Sequence, residues 1–183
     1  MGHVNDGTAA PADVAIRASR TDDLPVLQQI EIEAGRAFAD IGMDAVAGDD
    51  PFAVDVLLEY QNEGRAWVAV DADDRPIGYV VVDLVAGNAH IEQVSVRPAY
   101  GRRGMGRALI EHVATWARAH GLAAVTLTTF RDVAWNAPYY ERCGFRILRP
   151  DEVTAELAAI RRHEAEIGLD QWPRVCMRRD IDV

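Results

Sequence analysis

At 183 residues the chain can bury one sizeable core, and its 49% hydrophobic and 26% charged residues are ordinary for a globular protein. Lys+Arg 19 against Asp+Glu 29 leaves a net charge of −10, which argues against a general nucleic-acid binder and favours a cationic substrate or a basic peptide. Two cysteines, Cys143 and Cys176, offer no disulfide framework. No apolar run reaches the roughly eighteen residues of a membrane span, and no signal-peptide pattern opens the chain, so a cytoplasmic protein is expected.

Residues 1–13 are small and polar and read as a disordered leader, leaving 14–183 as a single domain. Val14 to Ala18 alternates like a short strand. Thr21-Asp22-Asp23 has the form of an N-cap with acids in the first turn, and Leu24, Leu27, Ile30, Ala34 and Phe38 trace one helical face. Gly42 to Pro51, rich in Asp and Gly, reads as a loop, and a second helix is expected from Phe52 to Gln61. Three strands follow, Ala66 to Val70, Ile77 to Leu84 and Ala89 to Val96, with turns at Asp73–Pro76 and Gly87-Asn88.

The third of these strands runs into Arg97-Pro98-Ala99-Tyr100-Gly101-Arg102-Arg103-Gly104-Met105-Gly106-Arg107. Apolar positions 105, 109, 110, 113, 116 and 117 then form one helical face, closed by Gly121. A strand–glycine loop–helix element points unpaired N–H groups and the positive end of the helix dipole at one place, where phosphate is the natural guest. The Walker loop is excluded because Arg107-Ala108 follows Gly106, and the dinucleotide fingerprint because Leu109 stands at its third glycine. Ala124 to Thr129 is a β-branched run fit for a central strand. Asn136 suits an N-cap, Pro138 a first turn and Gly144 a C′ position, so a short helix feeds a strand from Phe145. Asp151 is expected to begin a helix with Val153, Leu157 and Ile160 on one face, ending near Gly168, and Arg174 to Ile181 alternates as a last strand.

Two of these stretches resemble the signatures of the GNAT superfamily of N-acetyltransferases. Gly104 and Gly106 match its acyl-CoA loop, Gln/Arg-x-x-Gly-x-Gly/Ala, with Gly101 standing where Gln or Arg is usual. Tyr139-Tyr140-Glu141-Arg142-Cys143-Gly144-Phe145 matches its second signature position for position. The resemblance runs roughly from Val14 to Leu148. It implies an α/β fold: a mixed, curved central sheet of about six to seven strands with helices on both faces. The fourth and fifth strands would splay to admit a pantetheine arm.

It also implies acetyl-CoA as cosubstrate and no metal. The main chain of Val94, Ser95 and Val96 would hold the pantetheine as an added strand would. Arg102, Arg103, Gly104, Met105, Gly106 and Arg107 would hold the pyrophosphate, and Asn136 would be a further contact. Acetyl transfer to an amine needs a base, because an alkylammonium with a pKa of about 10 is not nucleophilic. It also needs an oxyanion donor and an acid for the departing thiolate. His90 and Glu92, two apart on a strand and so on one face, are the base candidates. Val94 N–H is the oxyanion donor that the resemblance implies and Tyr140 the acid, while Tyr139 and Cys143 are left in the core. Phe38, Phe130 and Trp135 are more readily core packing than pocket wall. The expected acceptor is a small-molecule primary amine attacked directly in a ternary complex. The alternatives are a protein N-terminus or lysine, or a catalytically silent acyl-CoA sensor. Dimers are frequent in the family, which leaves a homodimer open.

Overall fold

The computed structural model describes residues 15–181, so the expected leader at 1–13 lies outside them. Seven strands form one sheet: β1 (Ala15–Ala18), β2 (Ala66–Val70), β3 (Pro76–Val85), β4 (Asn88–Val96), β5 (Ala124–Phe130), β6 (Arg146–Ile147) and β7 (Arg174–Asp180). Their order is β1-β2-β3-β4-β5-β7-β6, and β4 with β5 is its parallel pair in an otherwise antiparallel arrangement. The helices are α1 (Leu24–Gly35), α2 (Asp44–Ala47), α3 (Val54–Asn62), α4 (Met105–Ala119), α5 (Ala137–Arg142) and α6 (Ala155–Glu166).

Helices cover both faces because β3 is apolar on both. Val80 and Val82 turn one way and meet Leu109, Ile110 and Val113 of α4, with Ala137 and Tyr140 of α5 alongside. Tyr79 and Val81 turn the other way, onto Leu24, Leu27 and Ile30 of α1 and Leu57 of α3. The periodic stripe of α4 is buried at Met105, Leu109, Ile110, Val113 and Ala117. Trp116 sits at its edge, half-buried against Trp67.

Several local expectations are corrected. Thr21–Asp23 is a 3-10 turn rather than a capped helix start, and the carboxylate of Asp23 accepts from Arg20 N–H at 2.7 Å. Phe38 does not continue the face of α1. After Gly35 the helix tightens to a 3-10 segment, and Phe38 turns to Phe130 and Trp135, with ring centroids 5.6 and 5.5 Å away. The Gly42–Pro51 stretch holds the short α2, and α3 starts at Val54 rather than Phe52. The last helix begins at Ala155, not Asp151, because Thr154 caps it by accepting from Leu157 N–H.

Two irregularities shape the centre of the sheet. Parallel pairing of β4 with β5 stops after Ala89/Val125 and His90/Thr126, so beyond His90 the strands part. The partner of Val81 is Gln93 and that of Val82 is Ile91, which leaves Glu92 as the extra residue of a β-bulge.

Candidate active site

The bulge decides which side chains share a face. Ala89 and Ile91 pack toward α4, and so do Val94 and Val96. With simple alternation Gln93 would join them; the inserted residue resets the phase, so His90, Glu92, Gln93 and Ser95 all lie on the face opposite α4. Gln93 was not singled out by the sequence, since nothing in its spacing marks a bulge. Its amide donates to Ser95 Oγ at 2.8 Å.

His90 is fully buried, with Nδ1 2.9 Å from Thr126 Oγ1 and Nε2 3.8 Å from Glu92 Oε2. Burial pushes its imidazole down to about 4, so it is neutral at pH 7. The Glu92 side chain keeps 35% of its surface exposed. Burial of the remainder raises its carboxyl above the ordinary range, and repulsion from Asp83 and Glu164 adds to the shift. With Glu92 ionised, the imidazole tautomer carrying its proton on Nε2 is favoured, because that proton faces the carboxylate and Thr126 Oγ1 can donate to Nδ1.

At the other end of β4, Gly104 takes the left-handed conformation (φ 81°, ψ 2°) immediately before α4. A left-handed residue followed by helical ones turns successive N–H groups into one concavity suited to an anion. Arg102 is also left-handed (φ 60°), and Arg103 lies over the Tyr100 ring at 5.6 Å. Arg102, Arg103 and Arg107 are exposed around this helix start, while Met105 is buried beneath it. Gly106 has a second reason to be glycine. A Cβ there would stand 2.9 Å from the Tyr139 hydroxyl, so Tyr139 is not simply core: it is half-buried and its tip rests on the first turn of α4.

Tyr140 is buried beside Tyr139 and Phe145. Burial pushes its phenol above the usual range, with the nearby Arg174 opposing. A phenol so held stays protonated at neutral pH and is able to give its proton away. Asn136 occupies the N-cap position of α5 but does not cap it. Its backbone (φ −110°, ψ −117°) lies outside the extended region that capping needs, and its buried Oδ1 has no protein partner. Cys143 and Cys176 are both buried free thiols.

On the Glu92 face, α6 is fastened to β5 and β7. Glu164 accepts from Thr128 Oγ1, from Arg161 and from Arg174, the last at 2.8 and 3.1 Å. Burial opposes its ionisation, yet Arg174 and these hydrogen bonds hold its carboxyl below the usual range. Between α6 and the far end of β3 lies an open cleft of about 550 Å³, with Glu92 in its wall. The sequence pointed to none of this, because Glu164 and Arg174 are distant in sequence from both signatures. Among the described residues no helix is long and apolar enough to cross a membrane, and no cluster of His, Cys, Asp or Glu is arranged to hold a metal ion.

Comparison with known proteins accords with this geometry. The model of the acetyltransferase (GNAT) family matches residues 30–145. The [ribosomal protein bS18]-alanine N-acetyltransferase of Salmonella typhimurium is 29% identical over 125 residues, covering 68% of this chain and 76% of that protein. Streptothricin acetyltransferase of Streptomyces lavendulae is 34% identical over 85 residues, 45% of each chain. Among solved structures, the PaiA N-acetyltransferase of Thermoplasma acidophilum in complex with coenzyme A has the same fold at a TM-score of 0.67 and 16% identity, over 92% of this chain and 99% of that one.

Proposed function

The chain belongs to the acetyltransferase (GNAT) family and is an acetyl-CoA-dependent acyltransferase; we propose that it acetylates the primary amine of a small molecule by direct attack, with Glu92 as base and Tyr140 as acid. The observation that carries this reading is the position of Glu92. It is the inserted residue of the bulge, next to the point where β4 leaves β5, with its carboxyl held above the ordinary range by burial. A carboxylate whose pKa is raised has more affinity for the ammonium proton than an ordinary one. His90, neutral down to about 4, is a poor base but a good neighbour, since it fixes the carboxylate's surroundings without charging.

The open edge of β4 from Ile91 to Val96 can hydrogen-bond a pantetheine arm, and the helix start at Gly104 to Arg107 can hold the pyrophosphate. The unpartnered Oδ1 of Asn136 is a fitting acceptor for an amide of the same arm. The thioester supplies an activated acyl carbon. Glu92 takes the proton of the incoming ammonium, Val94 N–H faces the developing oxyanion, and Tyr140 Oη gives its proton to the departing sulfur. The second reading, transfer to a protein N-terminus, is favoured by the similarity to the bS18-alanine enzyme.

Steady-state thiol release tests the assignment. Tyr140→Phe keeps the ring, so coenzyme affinity should hold while kcat falls by about 10²–10⁴. Wild-type kcat in that variant would return Tyr140 to the core. For Glu92→Gln the rate should fall and recover in part at high pH, as the amine loses its proton in solution.

A further inference from the structure

Helix α6 lies beyond the 30–145 span that the family model matches, and it supplies one wall of the cleft beside Glu92. Ala159 and Ile160 line that wall, and Leu84 and Val85 line the cleft from β3. Of these two it is Val85 whose side chain shares the Glu92 face, and it packs with Ile160 against Leu148, Leu157 and Cys176. The arginine and the second carboxylate of the cleft are already paired. Arg65 donates to Asp83 at 3.0 Å and also bonds Glu63, Asp83 accepts a further hydrogen bond from Tyr60 Oη at 3.0 Å, and His163 lies 3.9 Å from Glu166. Among the described lining residues this leaves Glu92 as the carboxylate with no arginine bonded to it: its neighbour at 3.8 Å is the buried His90, and Arg174 and His163 act on it only at longer range.

We propose that this cleft is the acceptor site and that it takes a small primary amine borne on a compact apolar group, with Ile160 and Val85 setting that preference. The proposal rests on Glu92 being the base. One free carboxylate provides for one ammonium. The second carboxylate of the cleft, Asp83, is already engaged by Arg65 and Tyr60, so a polyamine would lay its second charge against Val85 and Ile160 at a cost in desolvation. The volume of about 550 Å³ is of small-molecule size, within the range of roughly 300–1,000 Å³ seen for such pockets. The α6 wall is also preorganised. Glu164 ties it to Thr128 and Arg174, Thr154 caps its start, and Leu157 is buried under it. A wall held this way selects by shape and polarity instead of adapting to each guest.

The test is thiol release by the full chain with acetyl-CoA and three kinds of acceptor: compact apolar monoamines such as isoamylamine and phenethylamine, spermidine, and a short peptide with a free N-terminus. The apolar monoamines should exceed spermidine and the peptide in kcat/KM by on the order of 10-fold or more. Ile160→Ala should cost the apolar amines about 10-fold, mainly through KM, with the KM for acetyl-CoA unchanged. A wild-type preference for spermidine or the peptide would overturn the proposal while leaving transfer intact. So would an Ile160 variant that changes no acceptor ratio. No thiol release with any amine would remove the proposed transfer itself.

Discussion

A base that must be ionised to work, yet sits where ionisation is disfavoured, works against the fold. Glu92 is such a residue, its carboxyl raised first by burial and then by Asp83 and Glu164. A carboxyl whose folded pKa exceeds its unfolded one contributes most stability when protonated, and loses that contribution as pH rises through the folded value. Removing the charge should therefore relieve the fold where the wild type is ionised. Glu92→Gln should melt at or above the wild-type temperature at pH 8, and the difference should vanish near pH 4, where both side chains are neutral. Activity should move the opposite way, as expected where a functional site stores instability. Thermal unfolding across pH 4–8 checks this. A variant less stable than wild type at pH 8 would mean that Glu92 makes a favourable ionic contact instead.

The start of α4 carries two glycines for two different reasons. Gly104 needs its left-handed backbone, so Gly104→Val is strained as well as crowded, and acetyl-CoA affinity measured by calorimetry should collapse. Gly106 is glycine because the Tyr139 hydroxyl stands 2.9 Å from where a Cβ would go, while the ring carbon bearing it is at 3.7 Å, an ordinary contact. Gly106→Ala alone should destabilise, and adding Tyr139→Phe should recover most of the loss. Additive melting shifts in that double-mutant cycle would uncouple the two residues. The stripe of α4, the strands and both signatures were legible because each repeats a local period or a contiguous pattern. The bulge at Glu92 was not, because an inserted residue shows only against its partner strand, and with it Gln93 was lost. Asn136 misled in the opposite sense: the right residue type for a cap, it sits on a backbone that cannot use it. The Glu164–Arg174 clamp joins residues whose proximity exists only once β5 and β7 pair.

Over the whole molecule, all 19 cationic side chains are arginine. The enzyme therefore carries no lysine amine of its own to compete for the acetyl group, and background thiol release in acceptor assays should be low. The sheet is divided along one seam. Strands β1 to β4 form one side and β5, β7 and β6 the other, and the parallel pairing between them ends after Ala89/Val125 and His90/Thr126. Val94 to Val96 and Leu127 to Phe130 thus face each other across the seam without strand partners there. A coenzyme arm lying between them would add hydrogen bonds to β4 while its phosphates rest on α4, linking the two sides. Coenzyme A at about 100 times its dissociation constant should stabilise the fold by about 2.7 kcal/mol. For a chain of this length that is a rise in melting temperature of roughly 5–11 °C. The gain should also be local in hydrogen exchange. Amides of Val94 to Val96 that point into the seam should gain protection, those that already pair with β3 or β7 less, and those of β1 and β2 no more than the global shift requires. Uniform protection would mean that the coenzyme does not lie in the seam, and would move its arm elsewhere on the molecule.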